Sequence, residues 1–113
     1  MKINMRYISV FFVFFILVNS EEWSCGTKCT ANLDENGVLT ITGTGAMNNF
    51  KSDLIIPWYF HRSSIKSVTI EGITTIGNCA FAGCSSLMTI IIPSSVTTIG
   101  ESAFYECSSL MTS

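Results

Sequence analysis

Apolar positions along the 113-residue chain fall into three regimes. The first is a nearly unbroken apolar run, Ile8 to Val18, interrupted only by Ser9 and preceded by Lys2 and Arg6. It leads into Val18-Asn19-Ser20. A positive head, an apolar stretch and small residues, in that order, are the pattern of an export signal. The run is too short for a membrane-spanning helix, which needs ~20 apolar residues. Residues 1–20 are therefore expected to be a signal peptide cleaved after Ser20. A buried core helix and a short uncleaved anchor are the alternatives.

The second regime, residues 21–62, alternates. Val38-Leu39-Thr40-Ile41-Thr42 switches between apolar and polar at every step, the period of a half-buried strand. Asn36-Gly37 sits just before it and signals a hairpin. Leu54-Ile55-Ile56-Pro57-Trp58-Tyr59-Phe60 is the densest apolar stretch after Ser20. Pro57 has no N–H to give to a ladder, so this stretch is not a central strand. Trp58 and Phe60 are expected to pack against whatever follows, with an exposed aromatic binding loop as the alternative.

The third regime is repetitive. Ile76–Thr89 recurs 23 residues later as Ile99–Thr112, with ten of fourteen positions identical. Ser63–Ile70 and Ile73–Ile76 form an earlier, weaker copy, one residue shorter, because Glu71-Gly72 stands where Pro93-Ser94-Ser95 stands later. A 22–23-residue period lies in the range of leucine-rich repeats. Leu87, Ile90 and Ile92 have the spacing of an inward-facing strand that Pro93 ends. Val96 and Ile99 face inward on a second short extended stretch. Ala103 and Phe104 close the coil, and Cys107 and Leu110 lead to the next one. A single coil has too little core to stand alone, so stacked neighbours must bury these residues in ladders.

The segment Leu87–Leu110 resembles the BspA-type leucine-rich repeat, whose unit reads roughly L-x-x-I-x-I-P-x-x-V-x-x-I-G-x-x-A-F-x-x-C-x-x-L. The resemblance covers about Ser63–Ser113. It extends more loosely to Cys25-Gly26-x-x-Cys29, Leu33–Met47 and Pro57-Trp58-Tyr59, which are similar to the leader that often precedes such arrays. It implies a secreted or surface-exposed protein of host-associated bacteria or protozoan parasites, associated with adhesion and host-protein binding. The expected fold is mainly β: a leucine-rich-repeat solenoid with a β-hairpin cap at residues 21–62 and about two repeats at 63–113. The chain stops at Leu110-Met111-Thr112-Ser113, partway into a strand, so the array is expected to be C-terminally incomplete. Made alone, it is expected to be marginally stable or to self-associate.

Composition narrows the functions. Apolar residues make up 48% of the chain and charged residues 12%, which excludes a disordered chain. After Ser20 there are four Lys and Arg against eight Asp and Glu, and no Lys or Arg follows Glu71. Nucleic acid needs cations to displace its counterions, so it is not expected as a partner. Membrane association is expected only through the export signal or an anchor beyond Ser113. No Asn-x-Ser/Thr triplet occurs, so no N-glycan is expected.

Candidate chemistry is sparse. Five cysteines in an exported chain suggest oxidised pairs with one left over. Cys25 and Cys29 are close enough in sequence to form a disulfide. Cys84 and Cys107 occupy equivalent repeat positions, ~5 Å apart in a stacked array, and are expected to be ladder thiols rather than a bonded pair. Paired C-x-x-C motifs are absent and His61 is the only His, so neither zinc nor any other cofactor is expected. His61 lies beside Arg62 with no carboxylate near in sequence and is expected to be a surface residue. Asp34 and Glu35 flank a turn, which explains them without catalysis. Gly43-Thr44-Gly45-Ala46-Met47-Asn48 lacks the third glycine and the following helix of a dinucleotide site. The chain is not expected to be an enzyme.

What remains is a surface. Residues between the inward positions of the repeat strands point to the open face: Ser67, Thr69, Thr89, Ile91 and Thr112. This Thr-rich, nearly uncharged face is expected to bind a protein, a host extracellular protein among the candidates, or a second copy of the chain. Two other readings are a targeting region of a longer secreted enzyme and a self-assembling coat component.

Overall fold

The computed structural model describes residues 20–51 and 55–111. The export-signal expectation and Thr112 therefore fall outside the described residues, apart from Ser20 itself. Among the described residues there are six strands: β1 (Glu21–Gly26), β2 (Cys29–Leu33), β3 (Val38–Ala46), β4 (Ser67–Ile76), β5 (Thr89–Ile91) and β6 (Thr98–Ile99). They form one open sheet in the order β1-β2-β3-β4-β5, with β6 also pairing to β4. No α-helix occurs among the described residues; Tyr59–His61 is a single 3-10 turn.

The alternating stretch forms β3, antiparallel to β2, with Leu33 opposite Leu39. The turn between them has three residues rather than two. Asp34 N–H donates to the Val38 carbonyl at 3.1 Å, and Gly37 N–H donates to the Asp34 carbonyl at 3.2 Å. The Asp34 carboxylate accepts the Asn36 and Val38 N–H groups at 2.8 and 3.0 Å. Gly37 closes the turn at φ 81°, a left-handed conformation glycine adopts without a Cβ clash.

Pairing changes direction at β3. On its other side β3 is parallel to β4, with Leu39 opposite Val68 and Ile41 opposite Ile70. β4 is parallel in turn to β5, with Val68 opposite Ile90. Parallel neighbours need a long crossover, and residues 47–66 and 77–88 supply them. The strands bend together where backbones touch. A Cβ on Gly72 would collide with the Gly43 carbonyl, and one on Gly43 with the Lys28 carbonyl. Gly43, the first glycine of the Gly-x-Gly segment, is thus a packing corner. One repeat later Pro93 ends β5, and the Ser95 hydroxyl donates to the Ile73 carbonyl at 2.9 Å.

Against the inner face of the sheet lies an apolar cluster that includes Leu39, Ile41, Ile65, Val68, Ile70, Ile73, Ile76, Phe81 and Leu87. A stack of rings runs through it. Trp58 lies on Phe81 (centroids 5.9 Å, planes 20° apart) and Phe81 on Phe104 (5.6 Å, 23°). These three rings are 23 residues apart in sequence, so Trp58 occupies the repeat's own aromatic position. Its indole N–H donates to the Ala80 carbonyl at 2.9 Å. One repeat on, the backbone N–H of Phe81 donates to Ala103 at 2.8 Å. The indole therefore satisfies a carbonyl that a backbone donor satisfies in the next repeat.

The outer face of Trp58 is covered by Trp23 of β1 (6.2 Å) and, edge-on, by Phe50 (6.0 Å). Phe60, expected to pack with Trp58, is instead 83% exposed. Residues three apart eclipse in a 3-10 turn. Trp58 and His61 thus share the side facing Trp23, and Phe60 points away.

Candidate binding surface

Inward and outward side chains alternate along β4: Val68 and Ile70 are buried, Ser67 and Thr69 half-buried, and Glu71 exposed. Strand register extends this outward set into rows, with neighbours about 4.8 Å apart. One row runs Asn32, Thr40, Thr69, Ile91; a second runs Val38, Ser67, Thr89; a third runs Thr30, Thr42, Glu71. Glu22 and Ser24 of β1 continue the first and third rows. Ser67 thus sits beside Thr89 and Thr69 beside Ile91, which brings four of the sequence-derived face residues together.

The sequence reading missed the half of this surface contributed by β2 and β3. Its signal was available in the alternation of Val38–Thr42, where Thr40 and Thr42 share a parity. Only parallel pairing to β4 shows that this parity matches that of Ser67 and Thr69. The rows are dominated by hydroxyl groups, with Glu22 and Glu71 as their charges. Such a surface offers many weak hydrogen-bonding positions and one exposed aliphatic side chain, Ile91, 65% exposed.

The remaining candidates are accounted for locally. The Cys25 and Cys29 sulfurs are bonded at 2.03 Å across the β1–β2 turn. Cys79, Cys84 and Cys107 are free thiols. Burial pushes the Cys84 thiol up to about 12, helped by Cys107 and opposed by Arg62. Burial likewise raises Cys107, against the backbone N–H of Cys84. The Cys107 thiol donates to the Phe81 carbonyl at 3.1 Å. Thiols held protonated are poor nucleophiles. Cys79 and its counterpart Ser102 share a left-handed backbone (φ 59° and 58°), so the position marks a turn.

His61 has the carboxylate partner that its sequence neighbours do not supply. Its Nε2 lies 2.9 Å from Glu21 Oε2, and its ring lies 5.8 Å from Trp23. The pair joins β1 to the 3-10 turn. Among the described residues no three His, Cys, Asp or Glu side chains converge to hold a metal ion.

Comparison with known proteins agrees with this architecture. No curated protein matched the sequence. A crystal structure of a leucine-rich repeat protein from Eubacterium ventriosum ATCC 27560 is similar, with a TM-score of 0.74 and 38% identity over 77% of this chain. The match covers 24% of that protein, so the chain spans about a quarter of its length. Residues 54–113 match the family model described as BspA type Leucine rich repeat region (6 copies). A match over more than half the sequence, on strands that pair in parallel at the repeat's own spacing, identifies the group: the chain belongs to the BspA-type leucine-rich repeat family.

Proposed function

We propose that the chain is a secreted or cell-surface, non-catalytic repeat module that binds a protein through the open face of its sheet, in an adhesive role. Leucine-rich repeats generally mediate protein–protein contact, and stacked strands give such proteins extended binding surfaces. The observation that carries the proposal is the register of the outward rows, which continues from Asn32 through Thr40 and Thr69 to Ile91. In this reading Ser67, Thr69, Thr89, Ile91 and Thr112 contact the partner, joined by Thr40 and Asn32. Residues 1–20 direct export. Within residues 21–62, read as the cap, strands β1–β3 cover the first ring of the stack, a reading supported by Trp23 on Trp58 and by the pairing of β3 with β4.

Binding of the full chain to immobilised extracellular-matrix proteins tests this. Thr69→Glu and Ile91→Glu should each weaken binding about ten-fold or more, as expected when a charge enters a contact surface. Thr97→Glu, outside the rows, should change nothing. Failure of the wild-type chain to bind would remove the adhesive role. Full binding by both face variants would remove the face.

A further inference from the structure

Two of the three free thiols, Cys84 and Cys107, stand on one column of the stack. They are 23 residues apart, one full coil. Backbone hydrogen bonds hold the two coils in register on both sides of the pair. Before it, the Phe81 and Gly83 N–H groups donate to the Ala103 and Tyr105 carbonyls, each at 2.8 Å. After it, the Met111 N–H donates to the Met88 carbonyl at 3.2 Å. Coils paired in this way stand about 4.8 Å apart, inside the ~4.4–6.8 Å between Cα atoms that a disulfide spans.

The sulfur is placed accordingly. The Cys107 thiol donates to the Phe81 carbonyl at 3.1 Å, and the Cys84 N–H donates to that same carbonyl at 3.1 Å. The two cysteines thus meet at one oxygen, with the Cys107 sulfur against the Cys84 backbone N–H. Arg62, 22 residues before Cys84, takes the same place one coil earlier, and its charge opposes the effect of burial on the Cys84 thiol. Cys79 differs. Its counterpart is Ser102, in the same left-handed turn, so the neighbouring coil offers it no sulfur at that position.

We propose that Cys84 and Cys107 close a reversible disulfide between consecutive coils in the presence of a low-molecular-weight disulfide such as oxidised glutathione. The half-buried Cys107, as its thiolate, attacks the glutathione disulfide, releases one glutathione thiolate and is left as a mixed disulfide. The Cys84 thiolate then attacks the Cys107 sulfur and releases the second glutathione thiolate. The two protein thiols lose two electrons and two protons, and glutathione disulfide takes them up as two thiols. Burial keeps both protein thiols protonated, so the exchange is slow, on the order of hours. The bond closes a ring of chain that contains β5 and β6, and so fixes the edge strand that carries Thr89 and Ile91. Closure depends on the thiols alone and is independent of binding at the open face.

Incubation of the full chain with oxidised glutathione at pH 8, followed by alkylation of the remaining thiols and chymotryptic mapping, tests it. Cleavage after Phe81 and Phe104 places Cys79, Cys84 and Cys107 on separate peptides. Mass spectrometry should find the Cys84 and Cys107 peptides joined within one chain and Cys79 alkylated, and dithiothreitol should release the joined pair. Oxidation should raise the melting temperature of the wild-type chain by about 10 °C more than that of Cys107→Ser, because the cross-link constrains the unfolded chain. The peptide map uses the wild-type chain alone, so it decides the pairing whatever the stability of Cys107→Ser. Three alkylated thiols, glutathione retained on Cys107, a link through Cys79, a link found only between two chains, or equal melting shifts in the two proteins would each overturn the proposal.

Discussion

Two stretches of nearly the same sequence experience different environments. In the first, Ile76, Phe81, Cys84 and Leu87 are all fully buried. Their counterparts one repeat on are Ile99, Phe104, Cys107 and Leu110. Ile99 is 49% exposed and the other three are half-buried. The residue types and spacing are identical at these four positions. The difference lies in the neighbours: β4 is paired on both sides, whereas β5 and β6 are paired to β4. Burial in this architecture is therefore a property of a pair of interfaces rather than of a repeat. Stability follows the same rule, since a stacked array is approximately a sum of repeat and nearest-neighbour terms.

Truncating the matched rings tests this most strongly. Phe81→Ala should cost about 3–5 kcal/mol in denaturant unfolding, the range for a buried aromatic. Phe104→Ala should cost less than half as much. Equal losses would break the comparison. Ile76→Ala should cost about 2–5 kcal/mol and Ile99→Ala about 1 kcal/mol or less.

The first ring of the stack sharpens the comparison from its other side. Trp58→Phe keeps an aromatic on Phe81 but strands the Ala80 carbonyl. It should cost about 1–3 kcal/mol, the penalty for an unsatisfied buried group. A neutral result would mean that the backbone shifts to supply the donor, as Phe81 does for Ala103.

The two ladder thiols give a pH test. Cys84 has its folded-state value raised from 9.0 to about 12. Ionisation is therefore favoured in the unfolded chain first. Its contribution to stability is complete below about pH 9 and is lost as the pH rises through about 12. Cys84→Ala should flatten this alkaline loss relative to the wild-type chain in urea melts. Iodoacetamide at pH 8 should modify Cys107 before Cys84 in the folded chain, read by mass spectrometry, and denaturation should remove the order. The smallest effect belongs to the open face. Ile91→Glu should change stability by no more than about 0.5 kcal/mol, because its side chain points to solvent.

Much of the fold was legible because the repeat writes its packing into its spacing. The inward positions Leu87, Ile90, Phe104 and Leu110 could be assigned from recurrence alone, and Pro93 marked the end of β5. The hairpin was legible from Asn36-Gly37, although its three-residue form depended on the Asp34 carboxylate. Trp58 was assigned to the region before the repeats, although its 23-residue spacing from Phe81 was present in the sequence. Its change of residue type hid the register, and the indole donor to Ala80 explains that change. Phe60 was misplaced because apolar character says nothing about which side of a 3-10 turn a residue occupies.

By itself the sequence determined the period and most of the inward ladder, with Ile92 the exception at 39% exposed, because these depend on residue type and local spacing. The tertiary structure decided which strand lies beside which. Parallel pairing of β3 with β4 aligned Thr40 with Thr69, long-range closure brought Glu21 to His61, and stacking on two sides buried Ile76 but not Ile99. Those outcomes depend on contacts between residues tens of positions apart, whose partners no local pattern specifies.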